Sequence, residues 1–489
     1  MKKTKPIISI LLILLMISSF ITCTLFTASA ENTDTSEETT PSPAIARVYI
    51  TTENGNGVQL QKKDDYVKGS IKIVDTDNNI TEGEMQIKVR GNSTAKETIN
   101  KKAFTIKFGS KTDVLGMGKA KKWTLLANAF DPTLMRNYLA FDMAQTMGLE
   151  YTSQQSYVEL WLDGSYRGSY ILTEPVEVGS TRVDIDIESN DGMKDFLIER
   201  EFNRYESDVT YFYADDIRFA VKEPEEPTDD QLNYMKDVMN DIAETIKSGD
   251  RQAIESKIDI PSFTRFYILN ELFKPVDFDF SSVYFYYKDG MLYCGPAWDY
   301  DLSSGNINAS ISETAEKAAK SDLMFANGCH FYKHLCSYNW FNEEITSVYK
   351  QYYDYISNIT AEKGLMDNLL CTYGEVFRNN FELTEFKPTD RWVAEQKVPL
   401  KTFEENVDYL REWLYDRHNF LSSYYEVVHL IGDVDNDREI TVLDATTIQF
   451  HLANIKPLTE KQLKKADFDN DGEISVMDAT SIQRHIARL

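Results

Sequence analysis

The sequence predicts an α+β protein with a sheet-rich first half, a helix-rich second half and a small all-helical repeat at its C-terminus. Three observations predict this. From Ala46 to about Arg200 the apolar residues run in short strand-like stretches, several with a period of two. After Pro227 the period lengthens to that of a helix. From Gly432 onward one acidic segment recurs 34 residues later. A chain of 489 residues holds roughly two to four domains. The divisions expected here are 1–30, 31–45, 46–428 and 429–489.

The first strands are Arg47–Thr52, Ser70–Val74 and Glu84–Arg90. In Lys102–Phe108, Phe104, Ile106 and Phe108 share one face, with Thr105 and Lys107 on the other. Tyr157–Leu162 and Ser165–Leu172 flank Asp163-Gly164, a strong hairpin turn signal. Phe196–Arg200 is a further strand. With one helix at about Thr133–Met147, this half reads as a largely antiparallel sheet lobe. Thr228 then caps a helix whose apolar face is Leu232, Met235, Met239, Ile242 and Ile246. A second hairpin spans Ser282–Gly295 and turns at Asp289-Gly290. Residues 320–428 read mostly as helices rich in Tyr, Phe and Leu. A cleft between two such lobes is the expected place for a ligand.

The N-terminus carries Lys2, Lys3 and Lys5, an apolar run from Ile7 to about Phe26, and the small residues Ala28-Ser29-Ala30. This is the pattern of an export signal cleaved after Ala30. A lipid-anchored Cys23 and an uncleaved anchor are the alternatives. No other stretch is long and apolar enough to span a membrane. Residues Glu31–Pro43, rich in Thr, Ser, Glu and Pro, read as a disordered linker. Export permits disulfides among Cys294, Cys329, Cys336 and Cys371, but connectivity is not legible from sequence. Cys329-His330 and His334 to Cys336 fit either a zinc site or a packed helix with Phe331, Tyr332 and Leu335 facing inward. The formal net charge of −26 argues against a nucleic-acid partner, whose phosphates need basic surface to displace counterions.

In the C-terminal repeat, Asp433, Asp435, Asp437 and Asp444 stand at loop positions 1, 3, 5 and 12. Asp467, Asp469, Asp471 and Asp478 repeat the pattern. Position 9 is Thr441 or Ser475, and position 7, Glu439 or Glu473, would offer its backbone carbonyl. A hard cation taking six to eight oxygens suits a loop that returns side chains at alternate positions, so Ca²⁺ is expected in each. One helix follows each loop. Arg438 stands where the second loop has Gly472, so the first loop is expected to bind more weakly. This loop–helix duplication resembles type I dockerins, which bind cohesin modules of a scaffold protein in cellulosomes. The resemblance implies cohesin contact through Val442, Leu443, Val476 and Met477.

The sequence contains no P-loop, Gly-x-Ser-x-Gly or His-Glu-x-x-His motif. Instead, Asp277-Phe-Asp279 is followed by Ser282, a hairpin, and Trp298-Asp299-Tyr-Asp301. This order resembles a protein-kinase catalytic loop followed by a metal-binding Asp. Together with Arg90-Gly-Asn-Ser-Thr94, Lys101 to Lys107, Lys122 to Leu126, Asp131 to Asn137 and Leu162 to Glu174, it resembles the CotH-type spore-coat kinases. That family has an atypical, two-lobed, kinase-like fold, and characterised members transfer phosphate from ATP to coat proteins. The resemblance implies Asp277 as the catalytic Asp, with Asp299, Asp301 and Ser282 holding Mg²⁺. It implies Lys102 or Lys107 on the ATP phosphates, paired with Glu174 or Glu199, and Arg90 and Arg136 as further phosphate ligands. Strand alternation favours Lys107. Three functions fit: a secreted phosphotransferase docked on a scaffold, a pseudokinase or binding module, and a polysaccharide-degrading component using Asp277 and Asp299.

Overall fold

The computed structural model describes residues 45–53, 55, 65–97, 99–189, 192–202, 209–383, 400–426, 431–435, 437, 439–469 and 471–487. The expected export signal, all but the last residue of the expected linker, and Arg438 lie outside the described residues.

Seven strands form the first layer: β1 (Ala46–Thr52), β2 (Val67–Val74), β3 (Ile80–Arg90), β4 (Ala103–Asp113), β5 (Lys119–Leu126), β6 (Gln155–Leu162) and β7 (Ser165–Thr173). They follow the order β1-β2-β3-β4-β5-β7-β6 and close into a barrel where β6 pairs with β1 in parallel. Alternate residues fill its interior, among them Val48, Ile87, Ile106, Trp123, Leu125 and Leu160. The expected largely antiparallel sheet is present, and it closes on itself, which the sequence did not indicate. The β1–β6 pairing joins strands about a hundred residues apart, so local periodicity carries no sign of it.

β8 (Glu188–Ser189) and β9 (Gly192–Met193) form a small ribbon. A second sheet then comprises β10 (Phe196–Arg200), β11 (Tyr211–Ala214), β12 (Ile217–Glu223), β13 (Val283–Lys288) and β14 (Met291–Cys294), in the order β11-β12-β10-β13-β14. β10 therefore belongs to this sheet and not to the first. Its apolar run Phe196, Leu197 and Ile198 is fully buried, as a central strand covered on both faces requires.

Helices pack around this sheet. Asp229–Ser248 begins at the expected Thr228, whose hydroxyl accepts the Gln231 N–H while the Gln231 side chain returns the bond. Ile260–Phe273 is buried on nearly every side, consistent with its run of apolar residues. The buried Arg417 of helix Phe403–Tyr424 pairs with Glu271, which also accepts the N–H groups of Phe325 and Ala326 at 2.7 and 2.8 Å. This network fixes the late helices onto the central one. Leu335, Phe331 and Tyr332 are buried, as the packed-helix reading expects. His330 Nε2 contacts the Phe278 carbonyl, and no metal-ligand group forms there among the described residues. Cys294, Cys329 and Cys336 are free thiols.

Helices Val442–Leu452, Glu460–Ala466 and Val476–Ile486 form the C-terminal module around Val434, Ala445, Ile448, Ala466, Ala479 and Ile482. The middle helix was not expected from the sequence. Among the described residues no helix is long and apolar enough to cross a membrane.

Candidate functional site

The β13–β14 hairpin brings two acidic segments together. Asp277 lies in the 3₁₀ turn Val276–Asp279, just after the long buried helix and before β13. Asp299 follows β14. Ser282 Oγ donates to Asp299 Oδ2 at 3.2 Å, bridging the two ends of the hairpin. Ser282 and Asp299 both have left-handed backbones, with φ of 60° and 68°. Such conformations persist in non-glycine residues where the surroundings over-determine them, as at functional sites.

The segment after Asp299 is pinned from two sides. The Tyr300 N–H donates to Asn137 Oδ1 at 2.7 Å, and the Tyr300 hydroxyl to Asn270 at 3.0 Å. Asn306 Nδ2 donates to the carbonyls of Asp301 and Phe130. Arg136 is fully buried, pairs with Asp131 at 2.6 Å and donates to the Ser303 carbonyl at 3.0 Å. Arg136 thus braces the acidic loop and points at no open space.

Burial pushes the Asp277 carboxyl up to about 7, with the charges of Asp299 and Glu201 adding to it. Asp299 retains an open face, yet the surrounding protein raises its pKa, and Glu199 raises it further. The Ser282 hydrogen bond and Arg90 oppose the shift. Asp301 is pushed well up by burial and then by Asp299, Asp131 and Asp277. Asp299 thus raises both Asp277 and Asp301, a like-charge crowding that a bound cation would relieve.

Arg90, at the end of β3, faces this group. Its guanidinium lies 5.0 Å from the Trp298 ring centroid, and the ring stacks on Phe141 of the helix Arg136–Thr146. Burial lowers the Arg90 pKa, whereas Tyr284, Asp299 and Glu199 favour its charge. Its Nη1 is buried without a hydrogen-bond partner. A buried, unsatisfied guanidinium nitrogen beside carboxylates fits an anionic ligand that arrives with a cation.

Glu199 also lies here, but its ion-pair partner is Lys222, at 3.1 Å. A bulge makes that pairing: Leu197 opposes Glu223 and Ile198 opposes Val221, leaving Lys222 as the extra residue. The other expected residues lie elsewhere. Lys102 Nζ donates to the carbonyls of Ala95 and Lys96. Lys107 sits over Tyr66 on the outer barrel wall. It is four residues along β4 from Ala103, the partner of Arg90, or about 13 Å away at strand spacing. Glu174 pairs with Arg182 at 3.5 Å. The structure therefore brings together Arg90, Glu199, Asp277, Ser282, Asp299 and Asp301, and leaves Lys102, Lys107 and Glu174 outside that group.

Sequence reading missed Glu201, Tyr284 and Lys222. Glu201 accepts from Ser281 Oγ at 3.0 Å, and Tyr284 is the cross-strand partner of Glu199. Glu199 and Glu201 share strand parity directly after an apolar run, a signal that would have flagged Glu201. Nothing in the sequence marks the bulge at Lys222.

In the C-terminal module, ligand oxygens of Asp433, Asp435 and Asp444 lie within 4.8 Å of one another, as do those of Asp467, Asp469 and Asp471. Among the described residues only these two groups converge so closely. Asp444 accepts the N–H groups of Val434, Asp435 and Thr441, and Asp478 those of Phe468, Asp469 and Ser475. Thr441 and Ser475 cap the helices that follow. Glu439 and Glu473 are exposed, and each donates its N–H to the position-5 Asp. These clustered carboxylates fit Ca²⁺. Val442, Leu443, Val476 and Met477 all stand exposed at the helix starts.

The fold and site define a two-part protein, an acidic cluster beside an arginine with a buried, unpartnered nitrogen and a separate pair of cation-type loops. The family model described as CotH kinase protein matches residues 87–421, and the type I dockerin domain model matches residues 431–487. The chain belongs to the CotH kinase protein family and carries a type I dockerin domain at its C-terminus. A comparison with curated proteins returns no match. The dockerin domain implies a cohesin partner and calcium.

Proposed function

We propose that residues 46–428 transfer phosphate from ATP to a protein acceptor while the dockerin holds the chain on a cohesin-bearing scaffold outside the cell. The barrel and the helix-covered sheet then act as the two lobes of a kinase-like cleft. One observation carries the reading: the charge of Asp299 acts on Asp277 and Asp301 and also on Arg90, whose buried Nη1 lacks a hydrogen-bond partner.

In this reading Asp299 and Asp301, with Ser282 beside them, hold Mg²⁺. Magnesium is commonly bound through one or two carboxylates and the substrate phosphates. The ion supplies neutralisation of phosphate charge, which a chain of net charge −26 would otherwise repel. Arg90 meets the donor phosphates, and the charge of Glu199, itself paired with Lys222, favours its protonated form. Asp277 accepts the proton of the acceptor hydroxyl as its oxygen bonds to phosphorus and ADP leaves. A carboxyl held at about 7 suits that proton transfer near neutral pH. The expected export signal at 1–30 supplies the route outward.

The test is a calorimetric titration of the full chain with ATP and Mg²⁺, followed by radiolabel transfer to itself or to co-secreted proteins. Heat and label support the reading. Absence of both in folded protein favours a binding module, consistent with the lack of a tight three-ligand group in the cleft among the described residues.

A further inference from the structure

Asp433 opens the first acidic loop, and Lys465 lies in the helix that leads to the second. The Lys465 ammonium is 2.9 Å from Asp433 Oδ2, with the two side chains only 10% and 3% exposed. The Lys465 carbonyl also accepts the Gly432 N–H at 2.7 Å. One residue therefore grips the entrance of the first loop twice.

The repeat does not mirror this contact. The residue 34 places before Lys465 is Ile431, which is apolar and exposed. The Asp467 carboxylate accepts backbone N–H groups from its own loop, those of Asp471 at 3.1 Å and Gly472 at 3.0 Å. The first loop thus has a full positive charge on its position-1 carboxylate, from a side chain that Ile431 cannot match at the second loop.

We propose that Lys465 is an internal competitor for calcium, which makes the first loop the weaker of the two sites. The proposal rests on reading the loops as calcium sites. Without calcium, the ammonium offsets repulsion among Asp433, Asp435 and Asp444, whose oxygens crowd within 4.8 Å. When calcium arrives, a divalent and a monovalent cation contend for one carboxylate. The pair is nearly buried, so water and salt screen that repulsion poorly. The weakening expected from Arg438 rests on a different residue, one that stands where the second loop has Gly472, so the two effects are separable by substitution.

The test is calcium titration of the full chain against a chromophoric chelator. Lys465→Met keeps the side-chain length and removes the charge. It should tighten the weaker calcium constant about tenfold, whereas Lys465→Arg should stay within about twofold of the native value. Repeating the pair in an Asp471→Ala background, which disables the second loop, assigns the change to the first. If that background does not fold by circular dichroism, the weaker constant in the otherwise native chain decides. Two calcium ions bound natively, with Lys465→Met unchanged or weaker, would overturn the inference alone. No calcium uptake by the native chain would overturn the calcium reading and the inference together.

Discussion

The C-terminal loops and the proposed cleft both gather carboxylates, but they recruit them over different lengths of chain. Asp433, Asp435 and Asp444 converge from a segment of twelve residues, as do Asp467, Asp469 and Asp471 within five. In the cleft, Glu199, Asp277 and Asp299 span a hundred residues and meet only because β10, β13 and the turn at Val276–Asp279 pack side by side. A loop builds its site from its own backbone turn, so an extra metal ligand costs little additional ordering. The cleft depends on the whole core, and its carboxylates couple over longer distances. The loops should therefore respond to calcium independently of the cleft. The cleft should respond to any change that shifts the Asp299 segment.

The largest expected effect is at Asp299. Asp299→Ala should abolish the stabilisation of the chain by Mg²⁺ and ATP and lower phosphate transfer on the order of 10³-fold or more. Thermal melts and radiolabel transfer check this, while the calcium-dependent helix signal of the dockerin should not change. Normal nucleotide stabilisation in the variant would remove Asp299 from the metal role.

Next comes calcium removal, which tests the comparison from the other end. Excess chelator should reduce the helical signal of the C-terminal module, because carboxylates left without a cation repel one another and metal binding is linked to folding. Cohesin binding by the full chain should fall on the order of 100-fold, and phosphate transfer measured with Mg²⁺ restored should stay within about twofold. Equal losses in both functions would mean that the two regions are not independent.

A smaller effect concerns pH. The Asp277 pKa is raised to about 7, and in the proposed transfer its deprotonated form accepts the proton. Transfer should therefore rise with pH, about tenfold from pH 6 to pH 8, and level off above. Asp277→Asn should remove that limb from the residual rate while leaving nucleotide binding intact. A profile flat across this range in the native chain would exclude Asp277 as the titrating base.

The smallest effect is expected from the exposed pairs. Changing Val442 and Leu443 to Asp, or Val476 and Met477 to Asp, should each lower cohesin affinity by no more than about threefold if either face suffices. Changing both pairs should cost far more. Surface plasmon resonance on a cohesin panel measures this, and a large loss from one pair alone would show that the halves are not equivalent.

The sequence by itself determined the elements whose signals are local. Thr228 capped its helix, Asp163-Gly164 and Asp289-Gly290 turned their hairpins, and the acidic repeat marked both loops and the exposed helix starts. Each of these depends on a few neighbouring residues, and the family resemblance in the cleft followed from comparably short motifs. Tertiary structure alone decided how those motifs meet. Barrel closure by β1 and β6, the transfer of β10 to the second sheet, and the bulge that turns Lys222 onto Glu199 all join distant segments. Strand alternation correctly sets Lys107 opposite Phe104 and Phe108, but alternation only distinguishes the inside of the barrel from the outside. It does not say which stretch of the outer wall borders the cleft, because that depends on where the second sheet packs. The same holds for Arg136, whose charge reads as a phosphate ligand in sequence but is used in the fold to brace the acidic loop.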